Sequence, residues 1–126
     1  MHHAVRFTGA QIRYILWLDR LSRGGCGVKN VELAEALGLS RPSVHQMLKA
    51  LSDLGVVRQE TFGLAHLTDG GRALARKYAV CYALLEEKMA DLCGLGGVSE
   101  AALCGLLADM SPQSTDRLYA SQAPST

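Results

Sequence analysis

Residues 28–54 read VKNVELAEALGLSRPSVHQMLKALSDL and carry the strongest structural signal in this chain. Asn30 is a good N-cap, so the pattern predicts a short helix from Val31 to Leu37. Gly38 can adopt the positive φ that ends a helix. Ser40 is a second capping residue and predicts that another helix begins directly after it. Two helices joined by a tight Gly38-Leu39-Ser40 turn are therefore expected.

The second of these helices separates apolar from polar residues. Its apolar side chains recur at helical spacing and are expected to face the core: Val44, Met47, Leu48, Leu51 and Leu54. The opposite face carries His45, Gln46, Lys49 and also Pro42, which falls in the first turn, where a missing N–H is tolerated. This is the layout of a helix-turn-helix, whose second helix can lie in the major groove of DNA.

The residues after this motif predict a β-hairpin. Val56 to Thr61 are typical of a strand, Phe62-Gly63 of a turn, and Leu64 to Leu67 of the returning strand. A hairpin that directly follows a helix-turn-helix forms the wing of a winged helix. A first helix from about Gly9 to Arg23 precedes the motif. A long helix that starts in Thr68-Asp69-Gly70-Gly71 and runs to about Cys93 follows the wing.

The predicted fold is mainly α: a winged helix-turn-helix DNA-binding domain followed by a helical dimerisation domain. We assign residues 1–72 to the first domain, 73–120 to the second and 121–126 to a disordered tail. The long helix carries an apolar stripe that a small winged domain cannot cover alone, so a partner subunit or further helices are expected to cover part of it. Its proposed dimerisation residues are Leu74, Tyr78, Cys81 and Leu85.

Charge and composition restrict the class of protein. The chain has 126 residues, is 48% hydrophobic and has a net charge of +1, which fits a folded domain. Residues 1–77 contain 11 Lys and Arg against 6 Asp and Glu, whereas residues 78–126 contain 2 against 6. A basic first part suits contact with DNA, although ordinary surface variation is the alternative. No apolar run approaches the roughly 20 residues of a membrane span, and no secretory signal is present, so we expect a cytoplasmic protein without membrane partners.

The four cysteines are Cys26, Cys81, Cys93 and Cys104. None forms a CxxC pair, and no histidine lies at zinc-finger spacing. Three of them occupy apolar helical positions, so buried reduced thiols are expected, as is usual in the cytoplasm.

The residues proposed to contact double-stranded DNA lie on the second helix of the motif, at its entrance and on the wing. Arg41 and Lys49 are expected to meet phosphates, and Gln46 can bond an adenine edge in bidentate fashion. The full set is Lys29, Ser40, Arg41, Pro42, Ser43, His45, Gln46, Lys49, Arg58 and His66. For each of them the alternative is a solvated surface position without a role in binding.

The sequence also resembles the iron- and manganese-dependent repressors of the diphtheria-toxin-repressor type. The resemblance runs from about Thr8 to Leu118 and rests on IRYILWLDRL, VELAEALGLSRPSVHQMLKALSDLGVV, LTDGGRALA, ARKYAVCYALLEEKM and ADMSPQSTDRL. It implies the two-domain form of that family, in which a helical second domain forms a homodimer and binds a manganese or iron co-repressor.

The metal ligands that the resemblance implies are largely missing. The matching positions hold Ala10, Arg13, Tyr78, Tyr82, Cys104, Leu107 and Ala108. Only Cys104, with Glu100 nearby, stays a candidate ligand, and one thiol cannot build a transition-metal site. An arginine at a ligand position repels a cation. We therefore expect a degenerate metal site and no metal cofactor, with divalent manganese or iron remaining an option only through the resemblance.

The leading hypothesis is a homodimeric, sequence-specific transcriptional regulator, a repressor by family resemblance, that binds a DNA operator without the family's metal. Two alternatives stay open: a thiol- or small-molecule-responsive regulator, and a protein-interaction module without DNA affinity. An enzyme is not expected, because the chain shows no nucleophile–base spacing and no phosphate-binding glycine loop.

Overall fold

The computed structural model describes residues 6–23, 25–61 and 63–122. Within them the elements follow in the order α1 (Gly9–Ser22), β1 (Val28–Lys29), α2 (Asn30–Leu37), α3 (Arg41–Asp53), β2 (Val57–Gln59), β3 (Leu64–Leu67), α4 (Asp69–Cys93), α5 (Glu100–Asp109) and α6 (Pro112–Gln122). The predicted fold class, mainly helical with a helix-turn-helix and a small wing sheet, is confirmed.

The chain divides into two compact units. The winged unit is continuous, from Tyr14 to Ala75, and the helical unit combines residues 6–13 with residues 76–122. Helices α1 and α4 each contribute residues to both units. The predicted boundary at residue 72 lies three residues from the observed one, but the assignment of residues 6–13 to the helical unit was not anticipated.

Capping residues define the turn of the helix-turn-helix. Lys29, not Asn30, is the N-cap of α2, and its N–H donates to Glu32 Oε1 at 3.2 Å. The predicted Asn30 cap is therefore wrong by one residue. Gly38 ends α2 with φ of 69°, as expected. Ser40 caps α3 as predicted, because its Oγ accepts the N–H of Ser43 at 3.2 Å.

The apolar face of α3 anchors the helix in the core of the winged unit. Val44, Leu48 and Leu51 are fully buried, and each side chain of this size contributes about 1.5–3 kcal/mol through its burial. Leu54 was also expected in the core, but it is 43% exposed. It is the C-cap of α3 with a helical backbone, and helical spacing places it at the edge of the face formed by Val44, Leu48 and Leu51 rather than at its centre.

A three-stranded antiparallel sheet completes the winged unit, with strand order β1-β3-β2. The wing strands pair Val57 with Leu67 and Arg58 with His66. Strand β2 is shorter than the predicted Val56–Thr61, and of the predicted turn Phe62 lies outside the described residues. Strand β1 was not predicted; it pairs Val28 with Ala65 and places the residue before α2 in the sheet.

In the helical unit, the backbones of α1 and α5 approach each other closely. A Cβ at Gly9 would come 3.0 Å from the Cα and N of Gly105, so a glycine at the beginning of α1 lets it approach α5 closely. The ring centroids of Phe7 and Tyr78 lie 6.4 Å apart in an edge-to-face pair. The buried Cys81 thiol donates to the carbonyl oxygen of Thr115 at 3.5 Å, which connects α4 to α6.

The end of the chain is more ordered than expected. Helix α6 continues to Gln122, so the first two residues of the predicted disordered tail are helical, and residues 123–126 lie outside the described residues. No helix in the described ranges combines the length and the apolar character that crossing a membrane requires.

Candidate nucleic-acid interface

The structure exposes almost the whole set of residues proposed to contact DNA. All of them lie in the winged unit. The exposed members are Lys29, Ser40, Arg41, Pro42, Ser43, His45, Gln46, Lys49 and Arg58. Seven of these nine lie on α3 or at its cap, and among them Pro42, Gln46 and Lys49 lie on the side of the helix opposite the buried Val44 and Leu48. The exception is His66, which is described below.

The first turn of α3 has its own hydrogen bonds. Ser40 Oγ accepts the Ser43 N–H and donates to Ser43 Oγ at 2.9 Å. Pro42 has no N–H, so within the described residues the backbone N–H of Arg41 is the donor of this turn that remains for an external acceptor. An exposed arginine at a helix N-terminus provides side-chain and backbone donors of the kind that bind a phosphate.

Two planar side chains stand next on the same face of α3. His45 and Gln46 are exposed, and within the described residues neither side chain is hydrogen-bonded to another side chain or to the backbone. Their donors and acceptors are therefore available to base edges, for which a glutamine amide matches adenine. Lys49, one turn further along, supplies a second positive charge on this side of the helix.

The wing contributes less positive charge than the sequence predicted. Arg58 is exposed, but the side chain of His66 is only 17% exposed. Its Nε2 lies 2.9 Å from Glu60 Oε1, in a geometry that is not that of a hydrogen bond. A Cβ at Gly27 would also come 2.9 Å from this ring, so the imidazole packs beneath the backbone near β1.

Sequence reasoning missed Glu60 as a member of the wing surface. Arg58 and Glu60 are two residues apart, and the alternation of a strand puts such side chains on the same face. This two-residue spacing in the sequence could have indicated that Glu60 lies beside Arg58 on the wing. The carboxylate of Glu60 opposes a DNA phosphate, and Arg58 is therefore the favourable charge of this hairpin.

Charge is distributed differently in space than along the sequence. The winged unit contains seven Lys and Arg against six Asp and Glu, and the helical unit contains six of each. The basic first part of the sequence therefore does not correspond to a strongly basic unit, because Arg6, Arg13, Arg76 and Lys77 belong with the helical residues. What remains is a local concentration of positive charge on α3.

The positions at which the resemblance implies metal ligands lie in the helical unit. Arg13 Nε lies 2.8 Å from Glu100 Oε2, so the one carboxylate candidate is paired with a cation of the protein. Cys104, the other candidate, is fully buried. In the part of the chain that the structure describes, no three His, Cys, Asp or Glu side chains are grouped to hold a metal ion. These residues do not fit a divalent metal.

The residues proposed for dimerisation differ in exposure. Leu74, Tyr78 and Leu85 are half-buried, and Cys81 is fully buried within its own chain. Burial raises the pKa of the Cys81 thiol above its ordinary value, with Lys77 lowering it and Asp116 raising it further. Burial, with a smaller contribution from Cys81, raises the pKa of Tyr78. Cys81 thus offers no exposed surface to a partner.

The expectation for the remaining thiols is met in part. Cys104 is buried as predicted, but Cys93 and Cys26 are exposed. Cys93 is the last residue of α4, where the apolar face of the helix is no longer covered. None of the four cysteines, all within the described residues, forms a disulfide.

Comparison with known proteins supports the helix-turn-helix assignment. Residues 17–61, which include α2, α3 and strand β2, match the IclR helix-turn-helix domain. No curated protein matches the sequence. The transcriptional repressor CouR, solved with bound p-coumaroyl-CoA, is 31% identical, with 82% of this chain and 72% of CouR covered and a TM-score of 0.59.

Two other solved structures share the fold over a larger part of the chain. The manganese regulator SloR is 23% identical, with 86% of this chain and 51% of its own covered and a TM-score of 0.68. T. acidophilum IdeR is 16% identical, with 93% and 55% covered and a TM-score of 0.65. This chain thus spans about half the length of either protein. The resemblance to metal-dependent repressors is confirmed at the level of the fold.

Proposed function

Because the chain belongs to the winged helix-turn-helix transcriptional regulators, we propose that it represses transcription as a homodimer on a DNA operator, without a metal co-repressor. The observation that carries this proposal is the outward face of α3. Arg41, His45, Gln46 and Lys49 are exposed there, on a helix whose other face is fixed in the core by Val44, Leu48 and Leu51. Rigid placement of a few phosphate and base contacts is what operator recognition requires.

Independence from metal is supported by the chemistry of the helical unit. The Arg13–Glu100 pair already supplies a positive charge to the carboxylate, and a second cation at that carboxylate is opposed by the guanidinium. The phenol of Tyr82 is buried where the family resemblance implies a charged ligand. The protein therefore binds its operator in its metal-free form.

The proposed homodimer is supported by apolar surface on α4. Leu85 is half-buried and Leu92 is 79% exposed within one chain. The two side chains are seven residues apart and share one face of α4, and an exposed apolar patch often marks a protein–protein interface. A two-fold dimer presents two α3 helices to half-sites about one DNA turn, roughly 34 Å, apart.

Fluorescence anisotropy with DNA from the protein's own promoter region tests the proposal. Binding is measured first with a chelator and then with manganese, iron(II) or zinc, over a range of salt concentrations. Tight, salt-dependent binding in chelator is expected. Binding that occurs only with metal contradicts metal independence, and absence of specific binding in every condition contradicts the DNA-binding role. A monomer at micromolar concentration in light scattering contradicts the homodimer.

The near balance of charge in the winged unit favours one alternative, a protein-interaction module. The two functions are separated by the double variant Arg41→Ala with Lys49→Ala. A regulator loses affinity for DNA and keeps its fold and its oligomeric state. A protein-interaction module has no DNA affinity to lose, so the wild-type protein already fails the binding assay.

A further inference from the structure

The helical unit contains a groove that the DNA-binding role does not use. It lies between the last turns of α4 and the glycine-rich loop that leads to α5, and its volume is about 420 Å³. Small-molecule pockets in proteins usually enclose about 300–1,000 Å³, so this groove has the size for a small ligand.

The groove has apolar walls. Leu103, fully buried on α5, and Met89 on α4 form part of its lining, together with Val98. Leu95 also lines it and is 96% exposed, which leaves a large apolar side chain in water beside an open cavity. Placing an apolar molecule in the groove removes this surface from water.

The same groove is bordered by negative charge. Glu86, Glu87 and Asp91 line it from α4, and no lysine or arginine does. None of the three carboxylates forms an ion pair or a side-chain hydrogen bond within the described ranges. Acidic groups around an apolar cavity concentrate cations there and disfavour anions.

We propose that this groove binds a small organic cation, an amine or quaternary ammonium compound with an apolar ring system. The ring system contacts Met89, Val98 and Leu95, and the charged nitrogen stays near Glu87 and Asp91. This inference depends only on the helical unit and does not require that the protein bind DNA. A second copy of the chain seated on the exposed Leu95 is the competing occupant.

Fluorescence titration with dansylcadaverine tests the proposal, because this probe joins a naphthalene ring to a primary ammonium group. Dansylamide, which has the same ring without the charge, is the matched neutral probe. We expect saturable binding of dansylcadaverine with increased, blue-shifted emission. Dansylamide should bind about tenfold more weakly, since it lacks the attraction of the carboxylates.

Two variants locate the binding site. The triple variant Glu86→Gln, Glu87→Gln, Asp91→Asn should weaken dansylcadaverine binding about tenfold and leave dansylamide binding unchanged. Asp109→Asn is the control, because it removes an exposed carboxylate of the same unit that does not line the groove. Ala90→Phe places a ring in the groove without changing its charge and should abolish binding of both probes.

Several results would overturn the proposal. Equal affinity for the charged and the neutral probe would show that the carboxylates do not contribute to binding. Unchanged binding in the Ala90→Phe variant would show that the probe binds outside the groove. Absence of saturable binding in a protein that is folded by circular dichroism excludes the site. Binding that disappears as protein concentration rises and the chain associates assigns the groove to a second copy instead.

Discussion

The Nε atom of Arg13 lies 2.8 Å from Oε2 of Glu100, and this ion pair joins residues 87 positions apart in the sequence. The two side chains are 29% and 23% exposed, so water screens the pair only in part. Arg13→Met leaves a shielded carboxylate without its counter-charge. We expect the free energy of unfolding to fall by about 1–2 kcal/mol, measured by urea denaturation.

The double variant Arg13→Met with Glu100→Gln is the control for this prediction. It removes both charges, so it should be more stable than the sum of the two single changes implies. A coupling energy near zero would show that the pair contributes nothing to stability.

Salt dependence measures the phosphate contacts proposed for α3. The variants Arg41→Ala and Lys49→Ala should each reduce the slope of log K against log salt concentration by about 1 and weaken binding to all DNA sequences. Both side chains are exposed, so the unfolding temperature should not change. Lys88→Ala, an exposed change in the helical unit, is the control and should leave the slope unaltered.

Loss of the α3 cap should lower stability. Ser40→Ala removes the oxygen that accepts the Ser43 N–H, and we expect a decrease of about 1 kcal/mol in the free energy of unfolding. Ser43→Ala is the matched change, because it removes an exposed serine hydroxyl of the same turn but leaves Ser40 Oγ to accept the N–H of residue 43. An equal decrease in the free energy of unfolding of both variants would show that the cap contributes no more to stability than another exposed serine hydroxyl does.

The thiols should react in two classes. Cys26 and Cys93 are exposed, whereas Cys81 and Cys104 are fully buried. Ellman's reagent should therefore modify two thiols rapidly in the native protein and the other two only on unfolding. Rapid reaction of Cys81 or Cys104 in the native state would favour the thiol-responsive alternative.

Alkaline pH should destabilise the protein. Burial raises the pKa of Cys81 above its ordinary value of 9.0 and that of Tyr78 above 10.0. The unfolded chain thus loses these protons at lower pH than the folded chain, so stability is greatest below the ordinary values and falls as the pH rises through them. Urea denaturation at pH 8 and pH 10 checks this, and an unchanged midpoint would contradict it.

Local signals in the sequence were sufficient for the helix-turn-helix. The positive φ of Gly38 and the side-chain cap of Ser40 depend only on residues close in the sequence, so the turn between α2 and α3 was predicted correctly. The errors lie at the ends of helices. Lys29 rather than Asn30 caps α2, and Leu54, the C-cap of α3, is exposed rather than buried. Strand β1 has two residues, too few to show alternation.

The features that the sequence did not predict depend on contacts between residues far apart in the chain. Nothing near Arg13 or Glu100 in the sequence indicates that they pair. The ring of His66 lies against Gly27, 39 positions earlier, and the groove beside Leu95 is lined by residues of both α4 and α5. Exposure and charge pairing of this kind follow from the fold and not from periodicity.

The positions of the two units along the chain determine the order in which they are completed during synthesis. The winged unit is one continuous stretch, from Tyr14 to Ala75, so all of its residues have left the ribosome before the helical unit has its α5 and α6. Residues 6–13 emerge before the winged unit, but their partners Glu100 and Gly105 are translated only after it. A nascent chain can thus fold its DNA-reading module early and complete the other module last.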